Sequence, residues 1–525
     1  MTAGPVLLIG MDAAEIAITE RLMDSGRMPN LAALVAGGTS GSLVQRPTGL
    51  SAMVWPKWFE GGAAARWYFP KLWNPERMRL EWVTAASGAP RPFWEDLAGR
   101  GLRCAVFDVP QAPVREPGGD GLVVQGWQVH DLFERRTAPQ RSWRRLAGRF
   151  GPPPLGPEAY GRRTAAELLQ LREQALAATR QMGAIGEAML SEESWDLFVL
   201  VFGAMHRAGH YLWDLGQLDQ AMLGGEEKAL LRSALDEVYE EADKALGRML
   251  EAAPAGSRVM VFALHGMGPN NGWSERFQQI AGQAEATKAA GPRRPTALQR
   301  LKGVLPRSMV QRIMSSLPES SQRHLVPFLS RRLHDWSGTR WFALPSDLNG
   351  FLRVNLQGRE AQGIVEPGPA FEALCEELCE SFLRLEEVET GAPVVRAVER
   401  TDDFVPPDDP ARPFLPDLLV NWQELATTST AGVRFPSGGQ VRWHRGERFL
   451  SGRSGNHRPI GWFAASGPGI APGVIDGVHE IADMVPTVYH WLGQDAPASF
   501  RGRPIETLLP QRRALSIERE VMAGV

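Results

Sequence analysis

The chain has 525 residues, which is more than one hydrophobic core usually organises, so we expect more than one structural unit. Its apolar share of 43% is ordinary for a globular protein, and its net charge of −3 provides no basic field for nucleic acid. No run reaches the roughly 20 apolar residues of a transmembrane helix, and the N-terminus lacks the basic and apolar regions of a secretion signal. These features predict a cytoplasmic protein with no nucleic-acid or membrane partner, and they leave its oligomeric state open.

Buried strands and amphipathic helices alternate along much of the chain. Continuous apolar runs, which are typical of strands buried in a parallel sheet, occur at residues 5–12, 103–109, 196–202, 258–264 and 417–422. Helical patterns occur at residues 18–38, 164–190 and 228–253. This alternation predicts an α/β fold with a doubly wound, mostly parallel sheet.

Two regions interrupt this alternation. Residues 275–335 are polar and helical, which predicts an inserted lid or an interaction surface. Residues 336–410 carry one short strand–helix–strand pattern, which predicts a small α/β cap unit. We expect residues 1–274 and 411–510 to form the main core, and residues 511–525 to form a tail.

Candidate metal ligands lie at the ends of the predicted strands. Asp12, His206 and His265 each come just after an apolar run, where ligands bind in parallel α/β sheets. His210 follows His206 by about one helical turn, so both imidazoles would share one helix face, as metal ligands do. His457 stands before a further strand, in GNHRPIG. Each feature alone is weak, and for an isolated histidine pair simple packing is the favoured explanation.

Taken together, the motifs resemble the alkaline phosphatase superfamily, in its type I phosphodiesterase/nucleotide pyrophosphatase branch. The opening VLLIGMDAAEIAITERLMDSGRMPNLAALVAGGTSGSL is similar to the opening of that family, and HGMGPNNGW resembles its DHGM element. Its closing segment is similar to GNHRPIGWFAASGPGI, IADMVPTVYHWLG and FRGRPIETLL. The resemblance covers most of the chain apart from residues 275–335 and the tail, and it implies an alkaline phosphatase-like catalytic core.

The resemblance also implies a hydroxyl nucleophile. In the family this is a Thr or Ser after a proline-containing turn, four residues before a His or Trp. Here RPTGLSAMVW places Ser51 four residues before Trp55, and Thr48 is the competing hydroxyl.

Two metal sites follow from the same resemblance. One takes an Asp and two His in the family, and the matching positions here are His206, His210 and His457. The other takes an Asp, the nucleophile and the Asp-His of DHGM, and the matching positions here are Asp12, Ser51, Leu264 and His265.

Two of these positions depart from the family pattern. His206 stands where an Asp is expected, and Leu264 stands where a second Asp is expected. Three-histidine sites hold catalytic zinc with an open position, whereas two dications a few ångströms apart repel strongly unless anions lie between them. We therefore expect one tight zinc site formed by three histidines and a second site that is weak or empty.

Several polar side chains near the motifs are candidate substrate groups. Asn270 follows HGMG, Arg453 and Arg458 lie around the closing motif, and Gln128 and His130 are further candidates. Arginine suits phosphate through its planar, forked donor geometry. For each of these residues a surface or turn-stabilising role is an equal alternative.

The predicted function is that of a metal-dependent hydrolase of phosphodiester or phosphomonoester bonds, acting on a small-molecule phosphate or related ester. Ser51 would attack the phosphorus in line and form a covalent phosphoserine. A sulfatase is disfavoured because SAMVW lacks the element that sulfatases use at the nucleophile. Two alternatives stay open: a biosynthetic relative that transfers the group to another acceptor, and a degenerate member that binds an anion without turnover. Leu264 is the best support for the second.

Overall fold

The computed structural model describes residues 4–45, 54–62, 71–82, 91–114, 120–128, 136–156, 158, 161–288, 336–409 and 411–509. The predicted nucleophile Ser51, its competitor Thr48, His130, most of the predicted insertion and the tail lie outside these residues.

The described residues form twenty strands and eleven α-helices. The strands are β1 (Val6–Met11), β2 (Thr39–Val44), β3 (Lys71–Asn74), β4 (Arg79–Trp82), β5 (Cys104–Phe107), β6 (Leu122–Gln125), β7 (Arg136–Ala138), β8 (Leu197–Phe202), β9 (Arg258–Ala263), β10 (Gly266–Pro269), β11 (Trp341–Leu344), β12 (Gly350–Val354), β13 (Glu386–Glu387), β14 (Val395–Arg400), β15 (Leu418–Trp422), β16 (Gly432–Arg434), β17 (Gln440–Arg442), β18 (Gly455–Arg458), β19 (Ile460–Ser466) and β20 (Gly473–Glu480). The helices are α1 (Ile16–Asp24), α2 (Pro29–Ala36), α3 (Val54–Phe59), α4 (Phe93–Gly99), α5 (Ser142–Phe150), α6 (Ala165–Glu192), α7 (Ala204–Leu212), α8 (Gly225–Ala252), α9 (Trp273–Lys288), α10 (Pro369–Leu383) and α11 (Met484–Trp491).

A nine-stranded sheet forms the centre of the protein, in the order β20-β2-β19-β9-β1-β8-β5-β6-β7. The neighbours β9, β1, β8, β5 and β6 are parallel, and β20 is parallel to β2. Strands β19 and β7 run antiparallel to the strands beside them. The predicted α/β fold with a mostly parallel sheet is confirmed.

Both faces of this sheet are buried. Along β1, Leu7 and Ile9 belong to an apolar cluster with α6 and α8, whereas Val6 and Leu8 belong to a cluster with α3, α4 and α11. Successive side chains of a strand point to opposite faces, so a strand covered on both sides has no position left for a polar residue. This is why the strand runs in the sequence are continuous rather than alternating.

Residues 18–38, which the sequence predicts to be one helical segment, form the separate helices α1 and α2. Gly26, just after α1, has a φ of 73°, and Pro29 begins α2. The backbone N–H of Leu31 donates to the buried carboxylate of Asp243 on α8 at 2.8 Å. A carboxylate at a helix start satisfies free N–H groups, so the break is stabilised by a contact from elsewhere in the chain.

A second, four-stranded antiparallel sheet combines β11, β12 and β14 of the predicted cap unit with β15, which follows that unit in the chain; the order is β11-β12-β15-β14, and α10 packs against it. The run at residues 417–422 is confirmed as a strand, β15, but it pairs with β12 and β14 and not with the main sheet. Its side chains divide between two apolar clusters, so its burial on both faces produces the same continuous pattern as in the main sheet.

Helix α9 begins the predicted insertion and packs on this second sheet, where Phe277 and Ile280 share an apolar cluster with Leu352 and Val420. The domain boundaries themselves remain a prediction. Among the helices described, none combines the length and apolarity needed to cross a membrane.

Candidate metal centre

Three neighbouring strands bring the predicted ligands together at one edge of the main sheet. Strands β9, β1 and β8 lie side by side and are parallel, so their carboxyl ends share an edge. Asp12 follows β1, His265 follows β9, and α7, which carries His206 and His210, follows β8. His457 reaches the same edge on β18, which pairs with β10 just after His265. This is the edge at which α/β sheets bind ligands.

His206, His210 and His457 form a compact group of ring nitrogens. One nitrogen from each residue lies within 4.8 Å of the others. In a tetrahedral zinc site with Zn–N bonds of about 2.0–2.1 Å, the nitrogens stand roughly 3.4 Å apart. Small side-chain rotations therefore suffice to bring the three rings to bonding distance of one ion.

The ring of His210 is held in place by β18. Its Nδ1 donates to the carbonyl oxygen of Gly455 at 3.0 Å, and the Ser454 N–H donates to the His210 carbonyl at 2.8 Å. This approach requires a glycine, because a Cβ at Gly455 would lie 2.1 Å from the carbonyl oxygen of Gly209. With Nδ1 acting as the donor, Nε2 keeps its lone pair, which is the tautomer that a metal needs.

The ring of His206 is held by Asp12. Its Nδ1 donates to Asp12 Oδ2 at 3.0 Å, and the other carboxylate oxygen, Oδ1, accepts from Trp55 Nε1 at 3.0 Å. The sequence predicts that Asp12 and His206 serve different metal sites. The structure instead places them in direct contact, so the two predicted sites share one cluster.

The Nε2 atoms of His206 and His210 face each other at 2.9 Å. Because both Nδ1 atoms are donors, two neutral rings would direct their lone pairs at each other, and a proton or cation between them relieves this repulsion. Burial lowers the pKa of His206, but Asp12 outweighs it and the net pKa is raised. Burial, with Arg453 and His206, holds the pKa of His210 well below its usual value. The pair therefore suits one shared positive charge, as a metal ion would provide.

His265 and His457 complete the cluster, with ring centroids 4.7 Å apart. The Nδ1 atom of each is buried and has no hydrogen-bond partner among the described residues. Burial lowers the pKa of His265 to about 4, and burial together with the neighbouring histidines lowers that of His457 well below its usual value. Both rings are therefore neutral at neutral pH, which is the metal-binding form.

Leu264 lies in an apolar environment. It has 0% exposure and shares an apolar cluster with Met260, Phe262 and Trp55. The position at which the resemblance implies a carboxylate is thus surrounded by hydrocarbon. Asp12 and His265 are the described members of the predicted second site, which remains a prediction.

Glu158, which no motif identifies, lies beside the histidines. Its Oε1 accepts from Tyr211 Oη and from Arg453 Nη2, each at 2.9 Å. Burial raises the pKa of Glu158, but Arg453 and His210 outweigh it and hold the pKa below its usual value. Glu158 follows a proline-rich run, where the sequence has no periodicity that would indicate a functional side chain.

Asp347, between β11 and β12, is a second carboxylate that the sequence analysis missed. Its carbonyl oxygen accepts from Asn456 Nδ2 at 3.1 Å, which places this loop next to His457. Burial raises the pKa of Asp347, with Arg453 opposing and His206 also within electrostatic range. Asp347 is thus a further carboxyl group near the histidines, beside Asp12 and Glu158.

The two arginines predicted to bind substrate lie on different sides. Arg453 is close enough to lower the pKa of His210 and His457, and its buried Nε has no hydrogen-bond partner among the described residues. Arg458 follows His457 in a strand, so its side chain points to the opposite face. Its Nη2 donates to the carbonyl of Pro269 at 3.2 Å. Arg458 thus points away from the histidines, and its role in substrate binding stays a prediction.

The amide side chains of Asn270 and Gln128 hold backbone segments around the cluster. Asn270 Nδ2 donates to the Arg453 carbonyl at 3.0 Å, and its oxygen accepts the N–H two residues on. Gln128 Nε2 donates to the Ala178 carbonyl at 2.5 Å, and its oxygen accepts from the N–H of Ala204, which begins α7. Both predicted substrate groups are therefore engaged in shaping the site.

Solved structures similar to this chain include three hydrolase-type proteins of low identity. Phosphonoacetate hydrolase from Sinorhizobium meliloti 1021, in complex with phosphonoacetate, is 12% identical, covers 94% of this chain and 96% of its own, and has a TM-score of 0.47. Human ectonucleotide pyrophosphatase/phosphodiesterase 5 is 12% identical with the same coverage and a TM-score of 0.43. Wild-type alkaline phosphatase PafA is 11% identical, with 97% and 99% covered and a TM-score of 0.48.

A family profile matches a large part of the sequence, although no curated protein matches it. The profile is that of the type I phosphodiesterase/nucleotide pyrophosphatase family, and it spans residues 58–327, just over half of the chain. The matched segment contains His206, His210 and His265. The resemblance drawn from the motifs is thus confirmed, and the chain belongs to the type I phosphodiesterase/nucleotide pyrophosphatase family, a family of phosphoester hydrolases.

Proposed function

We propose that this protein hydrolyses a small-molecule phosphodiester or phosphomonoester with one tightly bound zinc ion held by His206, His210 and His457. The observation that carries this proposal is the pair of Nε2 atoms at 2.9 Å, each fixed by a donor bond from its own Nδ1, beside a third imidazole. Three neutral nitrogen ligands with one open position are typical of catalytic zinc. Such an ion supplies positive charge to a phosphoryl oxygen and acidifies a water molecule.

Side chains around the histidines would bind and orient the substrate. Arg453 offers a partly buried guanidinium whose Nε is buried and unused among the described residues, and a planar guanidinium matches phosphate oxygens. Glu158 Oε1 accepts a hydrogen bond from Nη2 of that guanidinium at 2.9 Å. Substrate binding through Arg453 therefore needs little reorganisation of the side chain, since its position is already set.

Ser51 is the proposed nucleophile, on the strength of the family resemblance. Trp55, four residues later, donates to Asp12, and this contact holds the start of α3 beside the histidine cluster. The Ser51 hydroxyl would attack the phosphorus in line and displace the alcohol, and a water molecule would then release the phosphoryl group from the serine. Asp12, Ser51 and His265 remain the candidate ligands of a weaker second ion.

The proposal is tested by metal analysis combined with ester hydrolysis. We would measure zinc content of the purified protein and turnover of bis(p-nitrophenyl) phosphate and p-nitrophenyl phosphate. Wild type should contain about one zinc, and Ser51→Ala and His457→Ala should each lose turnover, with His457→Ala also losing zinc. Wild-type protein that has neither zinc nor Ser51-dependent turnover would contradict the proposal.

A non-catalytic anion-binding role is the second candidate, and the burial of Leu264 among apolar side chains favours it. The same experiment separates the two. Zinc without turnover of either ester, together with saturable binding of inorganic phosphate that His457→Ala abolishes, would support the binding role.

A further inference from the structure

Asp12 has both carboxylate oxygens engaged by ring N–H groups. Oδ2 accepts from His206 Nδ1 and Oδ1 accepts from Trp55 Nε1, each at 3.0 Å, and the residue has 0% exposure. A buried carboxylate held at both oxygens has a fixed orientation, so it can transmit that orientation to the rings it binds.

The residue that would join Asp12 in holding a second ion is missing. Leu264 occupies that position, fully buried in an apolar cluster. Among the described residues of the cluster that follow β1 and β9, Asp12 is the one carboxylate available to an ion at this place. Oδ2 of the same carboxylate already accepts a hydrogen bond from the ring of His206, a proposed ligand of the first ion.

We propose that Asp12 is a positioning residue for His206 and acts on the first zinc ion through that imidazole. This role rests on the zinc site proposed above. Metal-ligating histidines commonly donate their second ring N–H to a carboxylate, which sets the tautomer and raises the basicity of the ligand nitrogen. Here the bond to Oδ2 keeps the proton on Nδ1 and directs the Nε2 lone pair toward His210.

The two departures from the family pattern then have one explanation. With Leu264 in place of a carboxylate, the second ion is weakened and Asp12 loses its expected partner. With His206 in place of an aspartate, the first ion gains a neutral ligand whose outer nitrogen recruits Asp12. The first ion therefore lacks the direct carboxylate ligand of the family pattern, and the carboxylate of Asp12 supplies negative charge from behind the imidazole of His206.

Trp55 supports Asp12 at Oδ1, the carboxylate oxygen that does not accept from His206. It is 4% exposed and packs against Phe262 with ring centroids 6.1 Å apart. Its indole can donate but not accept, so it fixes the orientation of Oδ1 without competing for the proton of His206. We expect its contribution to zinc affinity to be smaller than that of Asp12, because it acts one bond further out.

A zinc titration of metal-free protein tests this role without any substrate. Affinity and stoichiometry are measured against a chelating competitor for wild type, Asp12→Asn, Trp55→Phe and His206→Ala, and for the double variant Asp12→Asn/His206→Ala. We expect about one ion in wild type, an affinity about 10–100-fold weaker in Asp12→Asn, and a smaller loss in Trp55→Phe. In the His206→Ala background, Asp12→Asn should have no further effect, because the ring through which it acts is gone.

Several outcomes would overturn the role. Wild type that binds two ions, of which Asp12→Asn loses the second while the affinity for the first is unchanged, would make Asp12 a direct ligand of the second ion only. An equal loss from Asp12→Asn with and without His206 would show that it acts by another route. A wild type that binds no zinc would overturn the proposed zinc site as well, whereas unchanged zinc affinity in Asp12→Asn would overturn only the positioning role.

Nitrogen-15 NMR of the zinc-loaded wild type provides a second measurement that does not depend on the folding of a variant. The proposed role requires a protonated Nδ1 and a zinc-bound Nε2 on His206. The opposite assignment, with zinc on Nδ1, would overturn it.

Discussion

The two halves of the histidine cluster differ in what surrounds their ligand atoms. One half consists of His206, His210 and His457, and in it His206 and His210 each donate Nδ1 to a fixed oxygen, so their Nε2 lone pairs are directed at a common point. In the other, His265 has a buried Nδ1 without a partner in the described residues, and its chain neighbour Leu264 is buried in hydrocarbon. Oriented nitrogens favour one ion, whereas two adjacent dications need anions that this second half lacks.

The largest expected effect is on zinc affinity, when one imidazole is removed from each half in turn. His457→Ala removes one of the three proposed ligands of the tight site. Loss of a residue that only hydrogen-bonds to a ligand can weaken metal binding by about 100-fold, so loss of a direct ligand should weaken zinc binding by much more. His265→Ala is the matched control in the other half and should leave the first ion bound. Zinc titration of both variants checks this. Equal losses would show that the cluster is one site and that the comparison fails.

Restoring the missing carboxylate is the next test. Leu264→Asp removes apolar packing and buries a charged group, so the metal-free protein should lose about 3 kcal/mol or more of unfolding free energy. Excess zinc should restore much of this loss, since a second ion would pair the new carboxylate, and stoichiometry should rise from about one toward two. Thermal unfolding and metal analysis with and without zinc provide the measurement.

Leu264→Asn is the control for that substitution, because it has nearly the shape of Asp but no charge. The Leu264→Asn variant should also have a lower unfolding free energy than wild type, and excess zinc should not restore it. If both variants respond to zinc alike, the ligand assignment at position 264 is wrong.

The pH dependence of stability should reflect His265. Its pKa is lowered by burial to about 4, against 6.5 as its ordinary value. Between these values the unfolded chain binds more protons, so this stabilisation is complete above about pH 6.5 and is lost as pH falls toward 4. The expected loss from this residue is about 3 kcal/mol in metal-free protein, and the lowered pKa values of His210 and His457 act in the same direction.

Urea unfolding of metal-free wild type and His265→Gln at pH 7 and pH 4.5 measures this effect. The variant should lose about 2–3 kcal/mol less than wild type between the two pH values. The same pH dependence in both proteins would show that His265 is not the titrating group.

The smallest expected effect concerns substrate binding by the two arginines. Arg453 lies beside the histidines and Arg458 points away from them, so Arg453→Met should lower kcat/KM by about 10–100-fold, as for a lost charged hydrogen bond. Arg458→Met is the matched control and should stay close to wild type. Since Arg453→Met also releases Glu158, the double variant with Glu158→Gln should be compared. A larger effect from Arg458→Met would reverse the assignment of the two side chains.

Much of the fold could be predicted from local pattern. Four of the five apolar runs became central strands of the main sheet, because burial on both faces leaves no polar position in such a strand. The run at residues 417–422 has the same pattern for the same reason, yet it lies in the second sheet. Periodicity reports that a strand is buried, and it contains no information on which neighbour it pairs with.

For the site, the sequence by itself determined the candidate ligand types and the two departures from the family pattern, because these are chemical identities at positions recognisable along the chain. Only the tertiary structure decided that Asp12 bonds to His206, 194 residues away, and that Gly455 orients His210 across 245 residues. It also placed Glu158 and Asp347 near the cluster, although neither belongs to a motif. Contacts between distant segments depend on how the elements pack, and local sequence patterns do not encode that geometry.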